Sequence, residues 1–304
     1  MKQQGCCPPD PFTGLPFSGG IPDIEQREKG AGCPRLCDDS VENPITVSTG
    51  NKYEESLDLS ISTPGIPLEF RRSYNSQIIF DSPLGYGWTH TYYVSLSVVQ
   101  TSPTKRVRIW DSDGRALYFT ERSTGSEIIF YGESGVKDRL KQVVSTGEYF
   151  LRRKKANLTY KFGSDGKLLQ ISDPTGNTLS LSYTGGLLSQ VSHNIGKSIS
   201  IQYSSNRISS ITDPKNQFIF YEYTNGDLTK VAYPDQNFVR YAYSSHNLTD
   251  KYDTNNNLIG HWGYDSYSRV NNYYRHIKDS VHQEEINLTY PIGKTELRRT
   301  IGVE

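Results

Sequence analysis

From Leu168 to Leu248 the chain keeps a register of twenty residues. Apolar triplets at i, i+2 and i+4 recur as Leu179-Leu181-Tyr183, Ile199-Ile201-Tyr203, Ile219-Tyr221-Tyr223 and Val239-Tyr241-Tyr243. A second track runs through Leu168, Leu188, Ile208, Leu228 and Leu248, and a third through Ile171, Val191, Ile211 and Val231. Turn signals lie between them: "TGG", "SSN" and "TNGD" after the tyrosine end, "DPTGN", "DPKNQ" and "YPDQN" at the other. Gly260-Trp262-Tyr264 and Ile286-Leu288-Tyr290 continue the theme at spacings of 21 and 26. A fixed period of this kind is the mark of a repeat architecture.

Period two within each triplet means strand. Twenty residues hold two strands of about six residues and two turns. One repeat is therefore one hairpin, and the series is an all-β antiparallel hairpin meander that coils because sheets twist. Equal spacing puts equivalent residues side by side, so the triplets form one apolar stripe. A hairpin cannot bury its own apolar face, so neighbours share the stability. Tyr183, Tyr203, Tyr223, Tyr243, Tyr264 and Tyr290 then occupy one structural address, ring packed and hydroxyl at the rim. They read as repeat positions of a wall, with Leu168, Leu188, Ile208, Leu228 and Leu248, and not as catalytic groups.

The rest of the 304 residues supports an all-β reading, with 22 tyrosines against one methionine. Residues 43–160 alternate less regularly: Ile45 and Val47, then Leu57, Leu59 and Ile61; Ile66, Leu68 and Phe70; a hairpin with Val107 and Ile109, the turn "DSDGR", then Leu117 and Phe119. These predict a smaller β-rich domain before the repeats, which occupy 161–304 as about five to six hairpins. "GVKDRLKQVVS" (135–145) suits a helix and a strand equally. Residues 1–42 are an irregular lead-in broken by Pro and Gly. It holds all four cysteines, Cys6, Cys7, Cys33 and Cys37. Metal binding and disulfide formation both stay open for them, although C-x3-C with an adjacent pair is poor chelate geometry.

Lys plus Arg and Asp plus Glu balance at 33 each, which argues for no nucleic-acid partner. No apolar run approaches the ~20 residues of a membrane-spanning helix, and the N-terminus lacks the apolar core of a signal peptide. His90 in "GWTHTYY" has no G-x-S-x-G nucleophile and no second histidine at ligand spacing, and reads as structural. Gly85-Tyr86-Gly87 is followed by no helix, so it is no dinucleotide fingerprint. Arg152-Arg153-Lys154-Lys155 reads as a solvated turn, with contact to an anionic partner as the sharper reading. With no constellation of acid, base and nucleophile, the expectation is a protein without enzymatic activity, catalytic residues, metal or cofactor.

"FGSDGKLLQISDPTGNTLSLSY" (162–183) and "YDSYSRVNN" (264–272) resemble the YD repeats of Rhs proteins, insecticidal toxin-complex shells and teneurins. "NPITVSTGNKYEESLDLSISTPGIPLEFRRSYNS" (43–76) and "SPLGYGWTHTY" (82–92) are similar to the domain of unknown function that precedes such repeats in bacterial Rhs proteins. Four repeats have Thr184, Ser204, Thr224 and Ser244 where the family has Asp after Tyr, and Ser268 stands where Gly is usual. The resemblance implies part of a β-shell that encloses or presents a polymorphic toxin. Its partners would be a toxin domain or further shell segments, from the same gene or an adjacent chain. Export would follow a signal-less route from the cytoplasm to the medium or cell surface. By comparison with family shells the hairpins are too few to close a cocoon, which implies a truncated or incomplete shell. "DPTGN" lacks the Leu of the family's Asp-Pro-x-Gly-Leu self-cleavage motif, so no protease residues are carried over. A surface module recognising carbohydrate or protein is the alternative that the aromatic content and the teneurin-like repeat suggest.

Overall fold

The computed structural model describes residues 40–41, 45–46, 49–78, 80–123, 125–133, 135–276, 282–290 and 296–303. The four cysteines and most of the lead-in lie outside the described residues. Within them every regular element is a strand, and the ambiguous stretch after Gly135 contributes the strand Arg139–Val143. The fold is all-β: a long antiparallel meander in chain order, preceded by a smaller five-stranded sheet that includes Asn51–Ile61, Leu68–Asn75 and Trp88–His90. The meander's strands begin at Ser95–Gln100, ahead of the twenty-residue register.

The chain forms two compact units. Among the described residues, one contains Ser56–Arg72 and His90–Ile219, and the other contains those up to Glu55, Ser73–Thr89 and those from Phe220 onward. In the first unit the repeat register is carried by Leu168–Ser172, Thr178–Thr184, Leu187–His193, Ser198–Ser204 and Arg207–Thr212. In the second it is carried by Asp227–Ala232, Phe238–Ser244, Asn247–Tyr252 and Leu258–Tyr264.

The three sequence tracks interlock. Leu181 faces Val191, which faces Ile199; Ile201 faces Ile211; Tyr221 faces Val231, which faces Val239. The second and third tracks are buried throughout. The opposite face carries Ser180, Ser182, Ser200 and Gln202 in the first unit.

Two kinds of turn alternate, each dictated by its residues. After each Tyr-X pair the chain reverses through two residues with positive φ: Gly185-Gly186, Ser205-Asn206, Asn225-Gly226 and Ser245-His246. This is the two-residue hairpin turn whose twist matches the strands, and it favours Gly and Asn. At the other end Asp173 Oδ1 accepts from the amides of Thr175 (2.8 Å) and Asn177 (3.0 Å). Asp213, Asp253 and Asp265 repeat the arrangement. An aspartate that binds amides two and four residues on organises the turn from its own side chain. The same position is Tyr233 in "YPDQN", where Asp235 takes over and accepts from Asn237 N at 3.1 Å.

The entry strand departs from simple alternation. In Asn51–Ile61, Leu57 is 45 % exposed, whereas the Asp58 side chain is fully buried. Arg72, also fully buried, reaches Asp58 with Nε at 2.5 Å and Nη2 at 2.9 Å. A two-point guanidinium–carboxylate pair tolerates burial that neither charge tolerates alone.

Phe220 and Tyr221 are adjacent on one strand, 52 % and 5 % exposed. Tyr221→Ala should destabilise the protein by about 3 kcal/mol and Phe220→Ala by less than about 0.5 kcal/mol, read by chemical denaturation. Equal losses would contradict the assignment of the two faces.

Candidate functional site

The repeat tyrosines are held by one recurring hydrogen bond. Tyr183 Oη donates to Leu168 O at 2.8 Å, Tyr203 to Leu188 O at 2.9 Å and Tyr243 to Leu228 O at 2.7 Å, each fifteen residues back. Tyr264 does the same to Leu248 O at 2.8 Å, and Tyr290 donates to Val270 O. Tyr223 donates to Pro83 O at 3.4 Å in the same unit. At Tyr183, Tyr203, Tyr243 and Tyr264 the tyrosine track and the leucine track are thus the two ends of one bond. It spans from one hairpin to the strand of the previous one.

A bulge lies beside each repeat tyrosine from Tyr183 to Tyr264. Ser182 pairs with Gln190 but Tyr183 pairs with Leu188, which leaves Ser189 unpaired. The same step leaves out Ser209, Thr229 and Thr249. A bulged residue increases the local twist and re-aims its neighbour. Small hydroxyl residues suit the place: Ser189 Oγ donates to Ser182 O at 3.1 Å and Thr229 Oγ1 to Glu222 O at 3.2 Å.

Burial pushes the Tyr183 phenol up to about 12 and raises those of Tyr203, Tyr243, Tyr264 and Tyr290 further. These hydroxyls are neutral donors at any physiological pH. Their contribution to stability is complete below the ordinary phenol value of about 10 and is lost as pH rises through the raised values.

In the unit that contains Ser73–Thr89, the entry segment reads these stitches directly. Trp88 Nε1 donates to Tyr243 Oη at 2.9 Å, so Tyr243 joins the entry segment to Leu228. Trp88 also packs against Tyr74 and Tyr241, with ring centroids 5.3 Å away in each case. Leu248 N donates to Tyr74 Oη at 2.9 Å. Tyr86 stacks on His246 at 3.8 Å, and His246 Nδ1 lies 2.9 Å from Asp227 Oδ1. Val270 N donates to Gly50 O at 2.7 Å and Ser76 Oγ to Ser268 O at 3.2 Å. Entry-segment residues therefore meet one hairpin after another.

The register breaks where a charge cluster sits. Twenty residues after Val231 the third track carries Lys251 in place of an aliphatic residue. Its ammonium pairs with Glu54, which also accepts from the fully buried Lys52 at 2.8 Å. Lys52 Nζ lies 4.0 Å from the centre of the Trp262 ring. Gly260 makes room for that ring, since a Cβ there would come within 2.6 Å of it. Burial alone would raise the Glu54 carboxyl, but the two ammonium groups outweigh it and hold it at about 2. Burial lowers Lys52 to about 8, with Glu54 acting against the shift. Lys52 and Glu54 are therefore both charged at neutral pH.

In the other unit the entry segment is anchored by main-chain acceptors. His193 Nε2 lies 3.1 Å from Pro64 O, and Lys197 Nζ donates to Ser62 O at 3.1 Å. His90 is buried, stacked on Phe70 at 4.8 Å, and accepts from Tyr92 N at 3.3 Å. Burial lowers it to about 3, so it stays neutral. Arg153 points inward to Asp111 and, at 3.1 Å, to Asp138. The sequence carried a signal for the stitches in the constant offset of fifteen between two tracks. It carried none for Lys52, Glu54 and Arg72, whose charges look like surface residues.

Among the described residues no group of His, Cys, Asp and Glu is arranged to hold a metal ion, and no helix is long and apolar enough to cross a membrane.

Tyr243→Phe leaves both the Trp88 indole and the Leu228 carbonyl without their bond, whereas Tyr203→Phe affects the Leu188 carbonyl. Denaturant titration should show a loss of about 1 kcal/mol for Tyr203→Phe and about 2–3 kcal/mol for Tyr243→Phe. A Tyr243→Phe protein as stable as the wild type would contradict the stitch.

Comparison with known proteins fits the entry segment. No curated protein matches the chain. The chain is similar to a chain of a solved structure described as "Crystal Structure of TcdB2-TccC3-Cdc42", with 14 % identity and a TM-score of 0.36. The likeness covers 85 % of this chain and 14 % of that one, and at this score it establishes neither fold nor function. Residues 42–119, which span Asn51–Ile61, Leu68–Asn75, Trp88 and His90, match the family model described as Domain of unknown function (DUF6531).

Proposed function

We propose that this chain is a non-enzymatic structural part of an Rhs-type β-shell that encloses or presents a toxin domain. The toxin and further shell segments would be supplied by the same gene or by an adjacent chain, and the assembly would be exported from the cell. The observation that carries the reading is the repeated tyrosine-to-carbonyl bond. The most abundant reactive-looking side chains of the repeats are committed to holding one hairpin to the previous one. The same commitment favours a wall over a carbohydrate platform, because the hydroxyls that would recognise a sugar already have main-chain partners.

The buried charges fit this reading. Arg72 with Asp58, and Lys52 with Glu54 and Lys251, are saturated by each other. His90 is neutral and packed between aromatic rings. None of these groups faces an open cleft with an acid, a base and a nucleophile, the arrangement that catalysis requires.

The test is purification of the tagged chain from its native cell without denaturant, followed by protease treatment. A companion polypeptide that resists digestion until the sheet is unfolded is the expected result. A chain that emerges alone, or with a companion digested at the rate of the free polypeptide, overturns the proposal.

A further inference from the structure

A cleft of ≈ 400 Å³ on the unit containing His90–Ile219 is lined by Lys137, Arg139, Arg152, Lys154 and Asn157. Four of its five lining residues are cations, in a chain whose Lys plus Arg and Asp plus Glu balance at 33 each overall. Arg139 and Arg152 are direct cross-strand partners. Like charges opposite each other destabilise a sheet, so the fold carries a repulsion here that it could have avoided.

Strand alternation creates the imbalance. Arg153 and Asp138 point to the half-buried side and pair with each other at 3.1 Å, and Arg153 also binds Asp111. Their neighbours on either side, Arg152 and Lys154, Lys137 and Arg139, point outward. Among the described residues none of these four side chains forms an ion pair with a carboxylate. The nearest approach is through the main chain, where Lys154 N donates to Asp138 Oδ1 at 2.9 Å.

Neutral groups nevertheless hold the guanidinium groups in place. Arg152 donates to Asn157 Oδ1, to Asn157 O at 3.1 Å and to Thr159 Oγ1 at 3.3 Å. Arg139 lies over the Tyr131 ring at 5.2 Å. These contacts orient the charge without neutralising it. Two oriented guanidinium groups and two exposed ammonium groups suit a compact oxyanion with several negative charges.

We infer that this cleft binds a phosphate group, most strongly one carrying a second phosphate beside it. The ligand is a phosphorylated small molecule or a phosphorylated lipid headgroup. This site is independent of the shell reading and would stand if that reading fell.

The probe is inorganic pyrophosphate, titrated by calorimetry into the whole protein at low ionic strength. Wild type should bind, and Arg139→Gln and Arg152→Gln should each weaken binding at least tenfold, about 1.4 kcal/mol. Lys215→Gln, an exposed site on another turn, should leave binding unchanged. Because the two arginines repel each other, their glutamine variants should melt no lower than wild type without ligand, yet lose the rise in melting temperature that pyrophosphate causes. Sedimentation with phosphatidylcholine vesicles, with and without phosphatidylinositol bisphosphate, separates the two sources. Retention on the phosphorylated vesicles assigns the site to a headgroup, and binding of pyrophosphate alone assigns it to a soluble phosphate. No binding in either arm overturns the inference, as does equal weakening by Lys215→Gln, which would mean diffuse charge only.

Discussion

The structure depends on a hydrogen bond from a tyrosine hydroxyl to a main-chain carbonyl fifteen residues earlier. Ladder bonds alone join a strand to its immediate neighbours. This bond ties the same two neighbouring strands a second time, at the end their paired register leaves open: Leu168 and Tyr183 lie beyond the Gln170–Ser180 pair. It has a cost, because the phenol must be buried and the carbonyl removed from water. Both costs are offset when the two groups meet, and both are incurred in full when one partner is lost. The bulge beside each tyrosine makes the meeting geometrically accessible, and the two-residue turn beyond it sets the twist. Turn, bulge, ring and carbonyl therefore form one device, and the device repeats.

The entry segment exploits that device. In one unit Trp88 and Tyr74 approach the same row of hydroxyls and amides, through Tyr243 and Leu248. Where the repeat departs from its own pattern, at Lys251, Gly260 and Trp262, the departure accommodates Lys52 and Glu54. An aliphatic residue at position 251 would leave Glu54 with one ammonium in place of two. The irregularity is a specific fit between the entry segment and one hairpin, and it fixes which hairpin lies at that place. In the other unit the corresponding contacts are made by His193 and Lys197 to the carbonyls of Pro64 and Ser62.

Much of this was legible in the chain itself. Residues such as Val191 and Ile211 announce a buried stripe by period and by spacing, and they lie at 0 % exposure. The turn at Asn225-Gly226 could be read from its dipeptide, whereas the equivalent turn at Ser245-His246 is recognisable only because the register places it there. The hairpins between Ser95 and Phe162 belong to the same meander but have unequal loops, so no period marks them. The polar interior of the entry segment was hidden for a different reason. Alternation assigns Asp58 to solvent and Leu57 to the core, and a charged partner fourteen residues away reverses that assignment. Burial of a charge depends on its partner, and pairing at that distance leaves no local pattern.

Spectrophotometric titration of the tyrosines against the far-ultraviolet signal of the sheet tests the central claim most directly. With the phenols of Tyr203, Tyr243, Tyr264 and Tyr290 raised by burial and that of Tyr183 pushed up to about 12, their protons are required for the fold. Stability should decline as pH rises beyond about 10. A distinct part of the tyrosinate absorbance should appear only in step with cooperative loss of the sheet signal. If all the tyrosinate absorbance instead develops around pH ~10, the ordinary phenol value, while the sheet signal is unchanged, the hydroxyl-to-carbonyl bonds do not hold the wall together.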